Sequence, residues 1–106
     1  MAWIYIFIAG IFEVAWAIGL KYAEGFTKLY ASIGTVVAMA VSFYFLSKGL
    51  KTISVGTAYA VWTGIGAVGT AILGMILFNE SKDLMRIICI LLIVAGIVGL
   101  KLFSEG

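Results

Sequence analysis

Charged residues along the chain fall in clusters, and the clusters are separated by long apolar runs. Nothing is charged between Lys28 and Lys48, or between Lys51 and Glu80. A third uncharged run lies between Arg86 and Lys101, with apolar flanks at Leu84 and Phe103. The first run, from Ala2 to Leu20, carries one charge, Glu13. A helix needs about 20 apolar residues to cross the hydrocarbon core of a bilayer. The pattern therefore predicts four spans, at about 2–21, 29–47, 55–78 and 84–103. Between them lie Lys21–Lys28, Lys48–Gly56 and Asn79–Arg86 as loops. Gly25 reads as a helix stop and Thr27 as a start. No linker, repeat or low-complexity run divides the chain, so residues 1–106 read as one four-helix transmembrane domain.

Composition strengthens this reading. The chain is 64% hydrophobic and 11% charged, against roughly 45–50% and about 25% in soluble domains. A soluble fold of this size could not hide so much apolar surface. The first span lacks a basic n-region, is too long for a secretory signal and contains Glu13, so it reads as a retained helix. Cys89 is the one cysteine and reads as a small packing residue. With no His and one Cys there is no triad and no zinc set, and no phosphate-binding glycine motif is present. Nothing points to an enzyme, a metal, a cofactor or a nucleic-acid partner.

Charge also bears on orientation. Loops one and three share a side and carry Lys21, Lys28, Lys82 and Arg86. The other side has Lys48, Lys51 and, at its edge, Lys101. The positive-inside rule needs a clear excess, and this bias is weak. Either a slight bias sets one orientation, or both orientations insert and pair antiparallel. Such a pair would be a two-chain version of the inverted repeats of many transporters. Four helices, each about 10–12 Å across, cannot both enclose a polar path and shield it from lipid, which favours oligomerisation.

Glu13 is the residue the rest is organised around. A carboxylate at mid-membrane depth costs roughly 3 kcal/mol by insertion scales. It is expected to carry a proton, ligate a cation or join an ion pair; an acid kept neutral for packing alone is the other reading. Helical spacing puts Gly10, Glu13, Trp16 and Ala17 on one face. Small residues there would let another helix approach the acid. In the third span Tyr59 and Trp62 share a face, with Thr63 and Gly66 nearby. Carboxylate and aromatic rings together suit an organic cation, by charge pairing and by cation–π attraction. An interfacial aromatic belt is the alternative for Tyr59 and Trp62. The second span carries Ser32, Thr35, Met39, Ser42 and Leu46 at helical spacing. Ser42, the deepest, is expected to hydrogen-bond Glu13, with back-bonding to its own helix as the alternative. Gly64 and Gly66 are expected to permit a bend or to serve close packing. Ala95, Gly96 and Gly99 form a small-residue face suited to helix association, here between subunits. Lys101 reads as a snorkelling lysine.

These residues resemble the small multidrug resistance family over essentially the full length. The matching stretches are Gly10-Ile-Phe-Glu13, Gly25-Phe-Thr-Lys28 and Gly56-Thr-Ala-Tyr59-Ala-Val-Trp62-Thr-Gly-Ile-Gly66. Trp16, Leu20-Lys21-Tyr22, Ser42 and Lys101 resemble the guanidinium-exporting branch. Met39 stands where the polyaromatic-drug branch usually has Tyr. Cys89 stands where members have a Gly in helix four, a departure that concerns the detailed packing of the dimer and not its existence. The resemblance implies an all-α, dual-topology antiparallel homodimer in the bacterial inner (plasma) membrane. It further implies proton-coupled export of guanidinium and small guanidinyl cations by paired Glu13 residues. The pocket would be completed by Gly10, Trp16, Ser42, Tyr59 and Trp62, with Met39, Thr63 and Lys101 as further candidates. A broader exporter of quaternary ammonium compounds is the nearest alternative. A non-transporting membrane scaffold and an ion channel are more distant ones.

Overall fold

The computed structural model describes residues 2–103 and consists of four helices. They are α1 (Ala2–Ala23), α2 (Leu29–Gly49), α3 (Val55–Leu77) and α4 (Leu84–Phe103). Lipid offers the backbone no hydrogen-bond partners, so an apolar segment crossing it must satisfy its own amides as a helix. Helices of 20 to 23 residues reach about 30–35 Å at the α-helical rise. All four are long and apolar enough to cross a membrane.

The helix ends follow local chemistry. After α1 the backbone turns left-handed at Glu24, Gly25 and Phe26, with φ of 48°, 72° and 67°. Gly25 adopts that region without steric cost, and the stop falls where glycine marks it. The N–H groups of Thr27 and Lys28 both return to the Ala23 carbonyl, at 2.9 and 3.1 Å. Thr27 does not start α2. Its hydroxyl donates to the Glu24 carbonyl at 2.8 Å and so serves the end of α1, while Lys28 stands at the head of α2. Loop two folds back under the helices: the Ile53 N–H reaches the Gly49 carbonyl at 3.1 Å, and its side chain is 2% exposed.

Helix α1 is the centre of the arrangement and packs against both α2 and α3, which scarcely meet each other. Helix α4 packs mainly on α3, touching α1 where Lys101 lies over Trp3, and none of its described residues is buried. The extents of 42 × 34 × 17 Å describe a flattened bundle, a slab with α4 at its edge. Small and hydroxylated residues take the inside: Ala9, Gly10, Thr35, Ser42, Ala58 and Gly66 are buried. Large aliphatic residues such as Ile11, Val36, Ile76 and Leu91 face outward. Helices in lipid gain no hydrophobic drive from hiding leucine, so small residues that permit close approach occupy the contacts. Gly64 is one such contact, since a Cβ there would meet the Ile97 side chain of α4 at 2.8 Å. Helix α3 passes through Gly64 and Gly66 without interruption, and both serve close packing.

Candidate functional site

Glu13 lies midway along α1, on the face turned toward α3. Gly10, one turn earlier, presses on Ile65, whose Cγ2 would sit 2.6 Å from an added Cβ. That contact brings the helices close enough for the Glu13 carboxylate to rest directly on Gly66; a Cβ at residue 66 would overlap Oε1. Glu13 is half-buried, and its Oε1 is sealed with no hydrogen-bond partner among the described residues. A buried acceptor without a partner is costly, and it marks a place where a donor can be received.

Ser42 does not supply that donor. Its hydroxyl donates to the Ala9 carbonyl of α1 at 2.7 Å and accepts the Trp62 indole N–H of α3 at 3.0 Å. The α-helical pattern directs the Glu13 backbone N–H to the same Ala9 carbonyl. A carbonyl oxygen has two lone pairs, so it can receive both. Ser42 thus ties three helices together and meets Glu13 through the backbone. The direct side-chain bond expected between them is not formed.

Aromatic rings frame the acid. Trp62, 6% exposed, has the Tyr59 ring at 5.5 Å and the Phe43 ring at 5.7 Å. Phe43 in turn meets Trp16 at 6.5 Å between centroids. The row Tyr59, Trp62, Phe43, Trp16 therefore runs from α3 across α2 to α1, one turn from Glu13. Among the described residues the Trp16 indole nitrogen is sealed without a hydrogen-bond partner, as is the Thr70 hydroxyl one turn beyond Gly66. A free acceptor on Glu13 and a free donor on Trp16 stand one turn apart on one helix. Tyr59 is 57% exposed and opens the row to the outside. Phe43, the Ala9 carbonyl and Thr70 escaped the sequence reading; only the adjacency of Phe43 to Ser42 could have pointed to any of them.

Other candidates lie apart. Met39 is half-buried and Thr63 exposed, and neither has a described contact with Glu13. Gly96 and Gly99 have no atom within 4 Å of an added Cβ, and they line an apolar groove of about 650 Å³ between α3 and α4. Ala95 is exposed. Lys101 places its ammonium over the Trp3 ring at 5.4 Å, far from Glu13 along the helix axes. Lys48 sits over Tyr5 at 5.6 Å and Tyr44 at 5.2 Å, at the same end of the slab. Cys89 is exposed. Among the described residues no three His, Cys, Asp or Glu side chains group to hold a metal ion.

Four apolar spans around one partnerless acid define a multi-pass membrane protein with a polar site at mid-depth. The family model described as "Small Multidrug Resistance protein" matches residues 1–93. The chain belongs to the small multidrug resistance family. A protein of Yersinia pestis named guanidinium exporter is 62% identical over 104 residues, covering 98% of this chain and all of that one. One of Salmonella typhimurium with the same name is 60% identical over 105 residues, covering 99% and 100%. A third, from Proteus vulgaris and also named guanidinium exporter, is 56% identical over 104 residues, covering 98% and 100%.

Proposed function

We propose that the protein exports guanidinium and small guanidinyl cations in exchange for protons across the bacterial inner membrane, as an antiparallel homodimer. The observation that carries this reading is the Glu13 carboxylate lying on Gly66 with Oε1 sealed and unpartnered. Guanidinium is flat, and its N–H groups form a fork that matches a carboxylate two at a time. A planar cation gripped at its edge leaves its faces free for aromatic rings, and Trp16, Phe43, Trp62 and Tyr59 supply them. The relatives named guanidinium exporters support the same cargo.

The exposed α4 supports the dimer. None of its described residues is buried, and its small-residue face is uncovered. A second copy inverted in the membrane would cover that face and supply a second Glu13. Two carboxylates in one pocket titrate as a coupled pair. Each holds either a proton or a share of the cation, so the two ligands exclude one another. Rocking of the pair between two equivalent states then moves cation one way and protons the other.

Reconstitution in liposomes tests the reading. An imposed pH gradient should drive guanidinium against its concentration gradient, and Glu13→Gln should abolish the coupled movement. Vigorous pH-driven uptake by Glu13→Gln would overturn it. A tetraalkylammonium salt carried as fast as guanidinium would replace it with the broader cation exporter.

A further inference from the structure

Two cavities at the end of the slab bearing loops one and three play no part in the site described above. The inner one, about 310 Å³, lies between α1 and α3 and is lined by Ala17, Lys21, Thr70, Phe78, Glu80 and Arg86 among others. The outer one, about 600 Å³, is lined by Leu20, Lys21, Tyr22, Glu24 and Phe78. Lys21 and Phe78 line both, so the cavities adjoin at these two side chains. There the Lys21 ammonium stands over the Phe78 ring at 5.7 Å. Tyr22 braces the same ring at 5.3 Å between centroids.

The inner cavity points toward Glu13. Ala17 follows Glu13 by four residues on α1, and Thr70 follows Gly66 by four on α3. Its deep end therefore lies one helical turn, about 5.4 Å, from the contact between Glu13 and Gly66. The sealed, partnerless Thr70 hydroxyl is in that turn.

Two other cations at this end are paired with carboxylates. Arg86 donates to Glu80 at 2.6 Å, and Lys28 pairs with Glu24 at 3.7 Å. Lys21 has the ring instead of a carboxylate. An ammonium is a compact, strongly hydrated charge, whereas a guanidinium is flat, weakly hydrated and stacks on aromatic faces. Lys21 is exposed, so its head can leave the ring for water.

We propose that the Phe78 ring is a docking site for the organic cation on its way to or from Glu13, and that Lys21 is its tethered occupant. A guanidinium takes the ring face by displacing the ammonium, at the place where the two cavities adjoin. Simple ammonium and alkali cations, held more strongly by water, do not displace it. The inference rests on the reading of guanidinium as cargo.

Two measurements on the reconstituted full-length protein separate the cases: equilibrium guanidinium binding, and transport rate at subsaturating guanidinium. Phe78→Leu should slow transport roughly two- to five-fold, the range for one exposed cation–π contact, with binding unchanged. Phe78→Tyr should restore the rate. Lys21→Met removes the competitor and should raise the rate, but not in a Phe78→Leu background. The proposal is overturned if Phe78→Tyr is as slow as Phe78→Leu. It is also overturned if Phe78→Leu binds more weakly in step with its rate, or if Lys21→Met matches or falls below the wild type. Should the wild type itself bind no guanidinium, the export reading fails and this inference falls with it.

Discussion

The Glu13 carboxylate and Gly66 are in direct contact across the α1–α3 interface, and the hydrogen of glycine is all that the acid leaves room for. Helix α3 thus forms one wall of the acid's position. Gly66→Ala puts a methyl group where Oε1 lies. Overpacking of this kind costs about 1–3 kcal/mol. If Glu13 yields, guanidinium binding should weaken by roughly ten- to a hundred-fold while the protein still assembles. Isothermal titration with size-exclusion chromatography on the same sample checks both parts.

Ser42 acts through the Ala9 carbonyl and the Trp62 indole. Ser42→Ala removes both bonds and leaves a buried indole N–H unpaired. A side-chain bond between membrane helices is worth about 0.6–2 kcal/mol, so the loss of two should lower stability by about 1–4 kcal/mol. The loss should be the same whether Glu13 is protonated or charged, because the hydroxyl does not bond the carboxylate. Unfolding in mixed detergent at several pH values measures it.

Binding should depend on pH with a definite sign. If Glu13 holds the cation, protonation removes the attracting charge, and Kd should rise as pH falls. Where the protonated form dominates, the limit is about tenfold per pH unit for each proton displaced. Titrations across a pH series measure the slope, and Glu13→Gln should flatten it.

Assembly can be tested from opposite ends of the slab. Lys28 is in the connection between α1 and α2, and Lys51 in that between α2 and α3. An antiparallel dimer brings these two connections to one side of the membrane. In a Cys89→Ser background, Lys28→Cys mixed with Lys51→Cys should cross-link between chains. A parallel dimer would cross-link each variant only with itself.

Much of this arrangement was legible in the sequence because charge is so unevenly spread. Long uncharged runs can only be helices in lipid, and a lone acid inside one is conspicuous. Gly25 marked the end of α1 because glycine enters the left-handed backbone there without steric cost. The pairing of Glu13 with Gly66 was not legible. Spacing shows which residues share a face of one helix, but the axial register between two helices depends on how Gly10 and Ile65 meet. Ser42 was legible as a buried hydroxyl, whereas its partner is a backbone carbonyl that no residue type advertises. Phe43 was hidden among Phe43, Tyr44 and Phe45, where composition cannot tell which ring turns toward the site. Thr27 followed a glycine as a helix-starting residue would, yet its hydroxyl turned back to the preceding helix.

Proton release on binding tests the central claim most directly. Guanidinium is added to the purified protein in weakly buffered detergent solution, and the pH is followed with an indicator dye. If cation and proton compete for Glu13, addition should release protons in a saturable manner, and Glu13→Gln should release none. Binding without proton release, or equal release from Glu13→Gln, would contradict the account.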